Sequence, residues 1–226
     1  MNDNHVSTFY ILDLDRTLLD TLAAGDVMRD AASWSNIGLA DQITQKIADS
    51  TLFGEGFSLR DFIVEQVGEE GMAKVEQKYR ELILDRDVLL PGARELIQYI
   101  SDLPDTDFGI LTYGSPSGQA LKIEASGLGA IPFLVTQETF KGDLISSWRD
   151  QQGVYHLPGE MGGNTAEHIV FVDDKPFSFK GLAADCRGYW VKSVFDAGME
   201  KLPSYVIPVE DLQTIIALEK QRAQHK

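Results

Sequence analysis

Short apolar runs that stop abruptly at polar residues set the rhythm of the chain. Phe9-Tyr10-Ile11-Leu12 ends at Asp13, and Phe108-Gly109-Ile110-Leu111 ends in Thr112-Tyr113-Gly114-Ser115. Phe133-Leu134-Val135 ends near Thr136, and Ile169-Val170-Phe171-Val172 ends in Asp173-Asp174. Tyr189-Trp190-Val191 is a weaker fifth run. Unbroken apolar runs of this length predict strands buried on both faces. Between them lie helical periods. Pro91-Gly92-Ala93 opens one that carries Leu96, Ile97 and Ile100, with Pro91 suited to the first turn. Another covers Gly118 to Ser126, and a third runs from about Val209 with Leu212, Ile215 and Ile216 on one face. Strands alternating with helices predict an α/β fold, a doubly wound parallel sheet covered on both faces. Pro176-Phe177 is expected to begin a further helix, Glu160 to Asn164 to form a surface loop, and the Lys220 to Lys226 tail to fray.

Residues 22–87 break this rhythm with amphipathic helices and no strand. Val27, Ala31 and Trp34 mark one, Leu59, Phe62, Ile63 and Val67 another, and Val75, Tyr79, Leu82 and Ile83 the last. A helical block of this length exceeds an ordinary crossover. The expected organisation is a core of residues 1–21 and 88–226 with a small all-helical cap, residues 22–87, inserted over the carboxyl ends of the strands, where open α/β sheets bind ligands. A structural excursion is the alternative.

At 226 residues the chain can bury a full core and a small second module. Lys plus Arg number 20 and Asp plus Glu 35, a net charge of −15. That balance argues against duplex nucleic acid or an anionic membrane as the main partner. Hydrophobic content of 43% with 24% charged residues is that of a globular protein. The lone Cys186 excludes an internal disulfide framework and a clustered-thiol metal site. No apolar run approaches the roughly 18 residues that span a bilayer. Met1 to Ser7 lacks the layout of a signal peptide, so a cytoplasmic location is expected. The sequence carries no signal for oligomeric state.

The chemistry gathers at the polar ends of the apolar runs. Asp13-Leu14-Asp15-Arg16-Thr17, with Asp20 and Thr21 behind it, places carboxylates at i and i+2 after a buried strand. Such a concentration of negative charge calls for a cation, and Mg²⁺ takes oxygen ligands from one or two carboxylates; the same residues could instead cap the next helix. Asp173-Asp174 has the same two readings, and two acidic strand ends in one sheet would meet at one metal. Thr112-Tyr113-Gly114-Ser115 offers a hydroxyl and backbone N–H groups for phosphate oxygens. Lys141 is either a surface charge or a counter-charge to these groups.

In this order, Asp-x-Asp-x-Thr, a strand-terminal Thr, a Lys and a tandem acidic pair, the chain resembles the haloacid dehalogenase-like (HAD) hydrolase superfamily. The resemblance runs from Tyr10 to about Val191, with support from Leu90-Pro91-Gly92-Ala93, Gln119-x-x-Lys122-Ile123 and Val172-Asp173-Asp174-Lys175-Pro176. It implies a Rossmann-like core and an Mg²⁺-dependent phosphomonoester hydrolase acting on a small phosphorylated metabolite. It further implies Asp13 as the nucleophile that becomes an aspartyl phosphate and Asp15 as general acid and base. Asp13, Asp15 (by its backbone carbonyl), Asp173 and Asp174 would be metal ligands, Asp173 either helping directly or lying behind. Thr112, Tyr113, Gly114 and Lys141 would hold the phosphoryl group. Two positions depart from the family pattern. Arg16 stands where phosphatase members often have Gly, and it either meets an anionic substrate group or points to solvent. Lys141-Gly142 replaces the usual Lys-Pro, which leaves Lys122 as a second candidate lysine.

Asp15 argues against a dehalogenase, which lacks the second carboxylate. A sugar-phosphate mutase of the same superfamily and a non-catalytic protein-binding module are the alternatives. A response-regulator receiver would carry its acidic pair after the first strand, not near the end. The cap holds 13 acidic against 7 basic residues, which argues against a basic clamp for a highly charged substrate. Phe53-Gly54-Glu55-Gly56-Phe57 is a candidate specificity loop or a cap-packing turn, and Arg29 and Arg60 are candidate substrate contacts. Trp34, Trp148 and Trp190 are expected to pack, and Cys186 and the four histidines form no catalytic set.

Overall fold

In the computed structural model, residues 5–35, 37–53, 58–192 and 202–224 are described. Seven strands form one sheet: β1 (His5–Leu12), β2 (Thr106–Tyr113), β3 (Phe133–Thr136), β4 (Tyr155–His156), β5 (Thr165–Asp173), β6 (Arg187–Val191) and β7 (Val206–Val209). Their order is β3-β2-β1-β5-β6-β7, with β4 beside β5. β1 pairs in parallel with β2 on one side and β5 on the other, with Leu12 level with Ile110 and with Val172. β5–β6 and β6–β7 are also parallel. The expected parallel α/β sheet is therefore present. Strand order reverses between β1 and β5, and such a switch point opens a crevice at the carboxyl ends of the strands.

Among the described residues the α-helices are α1 (Thr21–Ser35), α2 (Ile37–Phe53), α3 (Leu59–Leu84), α4 (Ala93–Ser101), α5 (Pro116–Ala125), α6 (Lys141–Ser147) and α7 (Leu212–Gln224). The chain divides into two compact units. One comprises residues 1–18, 89–112 and 131–226; the other comprises 19–88 and 113–130. None of the described helices is long and apolar enough to cross a membrane.

In the sheet-bearing unit, both faces of β1 are covered because every side chain from Phe9 to Leu12 is buried. Phe9 and Ile11 join Phe171, Phe179, Ile169 and Trp190 in one cluster. On the opposite face the Tyr10 hydroxyl donates to Glu219 Oε2 of α7 at 2.9 Å. Tyr189 and Arg187 of β6 donate to the same carboxylate. Burial first, then Glu219, holds the Tyr10 and Tyr189 hydroxyls protonated well above the ordinary tyrosine range. Glu219 thus ties two strands to the last helix.

Several local expectations change. Val209 belongs to β7 rather than to a helix, and α7 starts at Leu212, after Asp211 accepts the Thr214 amide at 2.8 Å. Pro208 is tolerated in β7 because this is the edge strand. Pro176–Phe179 forms a single 3-10 turn instead of an α-helix. Glu160 to Asn164 is tied down: Met161 is fully buried, and Asn164 donates to Asp107 at 2.6 Å. The tail stays helical through Gln224.

In the helical unit, α1 starts where Asp20 accepts the Leu22 and Ala23 amides at 3.0 Å. The two segments expected around Leu59 and Val75 join in α3, which is kinked where Gly68 takes φ 70°. A positive φ is open to glycine at little cost, and it breaks the helical hydrogen-bond run. Ile63, Met72, Val75, Tyr79 and Ile83 face inward. Trp34 does not pack as expected: it is 74% exposed, with the Lys78 ammonium 4.2 Å from its ring centre. Arg60 pairs with Glu76 at 2.8 Å and Arg29 with Asp26 at 2.8 Å, so both serve ion pairs within this unit. Phe53-Gly54-Glu55-Gly56-Phe57 lies outside the residues described.

Replacing Glu219 with Ala would strip three donors of their acceptor. Arg187 keeps part of its hydration, so the expected loss is about 2–3 kcal/mol, below the 3–5 of a wholly buried pair. Urea unfolding measures it, and a loss under about 0.5 kcal/mol would show that the network is not stabilising.

Candidate functional site

Each carboxylate of the site is set at the end of a strand in the sheet-bearing unit. Asp13 follows β1, where its amide donates to the Val172 carbonyl at 2.9 Å and so extends the pairing with β5. Asp173 ends β5, and Asp174 follows it. Oxygens of these three buried carboxylates lie within 4.8 Å of one another. Lys141, the first residue of α6, is buried against them. Its Nζ donates to Asp13 Oδ1 and, at 2.8 Å, to Asp173 Oδ2. Lys122 sits half-buried on α5, in the helical unit.

Gly142 explains how Lys141 reaches this position. A Cβ at residue 142 would lie 2.5 Å from the Lys180 carbonyl oxygen and 2.8 Å from the Leu182 nitrogen. The start of α6 therefore packs against the backbone at 180–182, where neither a proline ring nor any other side chain fits. The departure from Lys-Pro is thus a packing requirement of this chain, and Lys141 still lies against Asp13 and Asp173.

The remaining bonds sort the three carboxylates. Thr17 donates to Asp13 Oδ2 at 3.1 Å, which leaves both Asp13 oxygens with donors. The Lys175 amide donates to Asp173 Oδ1 at 2.8 Å while Lys141 holds Oδ2. Arg16 Nε meets Asp174 Oδ2 at 3.0 Å, but Asp174 Oδ1 is buried without a hydrogen-bond partner. The Trp190 indole donates to the Asp174 carbonyl at 2.9 Å. Arg16 therefore turns to Asp174 and not simply to solvent. The Arg16 pairing, the Thr17 bond and the Trp190 bond were not foreseen; the last comes from Trp190 lying level with Asp173 across β5 and β6.

Thr112, near the end of β2, is buried with its Oγ1 unpartnered. Tyr113 and Gly114 continue the chain into the helical unit, where the Tyr113 carbonyl accepts Gln119 Nε2 at 2.8 Å. Asp15 is half-buried, and its carboxylate is not one of the three convergent ones.

Burial raises the Asp13 carboxyl to about 6, with Asp173 pushing up and Lys141 pulling down. Burial and the Asp13 and Asp173 charges raise Asp174 to about 8. Lys141 loses hydration too, but the two aspartates outweigh this and keep its ammonium above the ordinary lysine value. Lys141, Arg16 and Lys175 all pull these carboxyls down, yet burial and mutual repulsion still outweigh them at Asp13 and Asp174. A hard divalent cation fits: the donors are all oxygens, and the unpartnered buried Asp174 Oδ1 is a ready ligand.

No family model matches the chain, and no curated protein matches it significantly. Solved structures do. A protein of Burkholderia xenovorans described as a haloacid dehalogenase-like hydrolase is 17% identical, with TM-score 0.58 over 96% of this chain and 98% of its own. A Thermotoga maritima structure described as a beta-phosphoglucomutase is 13% identical, with TM-score 0.55 over 95% and 99%. A Bacillus subtilis HAD-hydrolase bound to magnesium is 17% identical, with TM-score 0.51 over 95% and 99%. The fold is that of the HAD-like hydrolases.

Both raised carboxyls bear on pH. The folded chain keeps protons that the unfolded chain releases above about pH 4, so without divalent cation its stability falls as pH rises from about 4 through 8. In EDTA the thermal midpoint is expected to drop between about pH 5 and pH 8, and Mg²⁺ to raise it more at the higher pH, where it displaces fewer protons. An Mg²⁺ shift equal at both pH values would contradict this. Separately, Gly142→Ala should cost about 1–3 kcal/mol by overpacking; an unchanged urea midpoint would mean that segment 179–182 yields freely.

Proposed function

We propose that the chain is an Mg²⁺-dependent phosphomonoester hydrolase that works through an aspartyl phosphate on Asp13. The observation that carries this reading is the buried Asp13 carboxylate held by Lys141 and Thr17 beside Asp173 and Asp174, at the switch point of a HAD-like sheet. Phosphoryl transfer depends mainly on positioning and on neutralising charge. That is what this set of groups supplies.

Asp13, Asp174 and the Asp15 backbone carbonyl would hold Mg²⁺, with Asp173 either helping directly or lying behind them, held by Lys141 and the Lys175 amide. When bound, the cation supplies charge neutralisation between nucleophile and phosphate. Asp13 attacks phosphorus, and the bond to the leaving alcohol oxygen breaks as Asp15 gives that oxygen a proton. Asp15 then takes a proton from water, whose oxygen attacks phosphorus and releases Asp13. Lys141 offsets the Asp13 charge so that an anionic ester can approach. Thr112 Oγ1, buried and without a partner, would donate to a phosphoryl oxygen, and the Tyr113 and Gly114 amides would extend that cradle. Residues 22–87 would act as a cap that selects a small phosphorylated metabolite, supported by their insertion directly after the first acidic motif.

The likeness to a structure described as a beta-phosphoglucomutase supports a second reading, transfer of the phosphoryl group back to a sugar phosphate. The measurement that tests both is phosphate release from an aryl phosphate and from a panel of metabolite esters, with product analysis. Mg²⁺-dependent release that disappears in Asp13→Asn is expected. Isomerised sugar phosphate without free phosphate would favour the mutase. Turnover that survives in Asp13→Asn would overturn the aspartyl-phosphate route, and absence of turnover across the panel would leave a protein-binding module.

A further inference from the structure

Arg16 occupies an unusual backbone position. Its φ is 64°, in the left-handed region that long side chains seldom adopt. Such strain persists where the surrounding structure fixes the residue, and it concentrates at functional sites. Here the turn of residues 14–18 is held by the Thr17 and Leu18 amides donating to the Leu14 carbonyl at 3.3 and 3.0 Å. That turn carries Arg16 Nε to Asp174 Oδ2 at 3.0 Å.

The contact divides the Asp174 carboxylate into two unlike oxygens. Oδ2 takes the guanidinium, and Oδ1 is buried with no hydrogen-bond partner. The main chain of the same residue is fixed from the other side by the Trp190 indole. Asp13 and Asp173, by contrast, have donors on both oxygens. Among these three carboxylates the one oxygen without a hydrogen-bond donor is thus the one that Arg16 does not take. We propose that Arg16 is a positioning residue for the divalent cation: its hold on Asp174 Oδ2 fixes the rotation of that carboxylate and presents Oδ1 as a metal ligand.

Two effects of Arg16 on cation affinity oppose each other. Outer groups that orient a ligating carboxylate typically contribute about 10–100-fold in metal affinity. The positive charge of Arg16 repels the cation, but its side chain is 35% exposed, and solvent screens a charge so placed. Orientation therefore outweighs repulsion.

This inference rests on the proposed function only for the presence of a cation site. Calorimetric titration with Mg²⁺ alone tests it on wild type and Arg16→Asn. Asparagine accepts the left-handed backbone, so the substitution removes the reach of the side chain and keeps the turn. The dissociation constant for Mg²⁺ is expected to rise about tenfold in Arg16→Asn, and loss of the ion pair with buried Asp174 to lower the thermal midpoint in EDTA as well. If Arg16→Asn does not fold, Arg16→Gly serves the same test. Equal or tighter Mg²⁺ binding in the folded variant overturns this inference alone, and so does a lower EDTA midpoint with an unchanged dissociation constant. Absence of Mg²⁺ binding by wild type overturns it together with the metal-dependent hydrolase reading.

Discussion

The ammonium of Lys141, placed between Asp13 and Asp173, is the contact on which the arrangement of the site depends. Three stretches far apart in sequence meet there: the end of β1, the end of β5 and the first turn of α6. Without that charge, three carboxylates could not share one buried corner in their ionised form. With it the three carboxylates stay close enough that they could hold a cation between them. A buried salt bridge is weak evidence for stability, because loss of hydration offsets much of the Coulomb gain. The Lys141 bridge is better understood as the means of holding Asp13 in one orientation.

Packing, not electrostatics, delivers the lysine. α6 is only seven residues long and carries Lys141 at its first position. The missing side chain at Gly142 lets this short helix lie against the backbone at 180–182. The same segment follows the 3-10 turn of Pro176–Phe179, whose Phe179 is fully buried beside Phe171. A core contact under β5 thus sets the distance at which a lysine from another part of the chain can reach the end of β5.

How much of this was legible follows from what each element requires. β1, β2, β5 and β6 were legible because strands buried on both faces need unbroken apolar runs, and β3, half-buried at one edge, carries such a run too. β4 was not, since two residues carry no period and its pairing is antiparallel to β5. β7 was hidden by Pro208, a residue that argues against a strand everywhere except at an edge. α2 was also missed, although Leu39 and Ile43 are buried. The positions of Asp13, Asp173, Asp174 and Lys141 could be expected from order along the chain, because strand ends in a parallel sheet converge. Their hydrogen-bond partners could not, since Thr17, Trp190 and the Lys175 amide act through a turn, a sheet neighbour and a main-chain group. Trp34 misled because helical period alone does not tell an inward aromatic from one lying under a lysine on the surface.

The unequal treatment of neighbouring aspartates carries the last step. Asp173 and Asp174 are adjacent in sequence and both buried, yet one has donors on both oxygens and the other keeps an oxygen bare. Successive residues leaving a strand point to opposite sides, so a tandem pair at a strand end reaches two sets of partners. Asp173 meets the lysine of α6 and the next turn of its own chain. Asp174 meets the turn after β1 through Arg16. A buried oxygen without a donor is costly, and its neighbours must account for it. In a corner made of carboxylates, a hydrogen-bond donor would already have been supplied by Lys141 or Arg16 if a donor were the intended partner. A cation suits the bare Asp174 oxygen, which as a carboxylate can only accept, whereas the bare Thr112 hydroxyl, two strands away, can donate as well as accept.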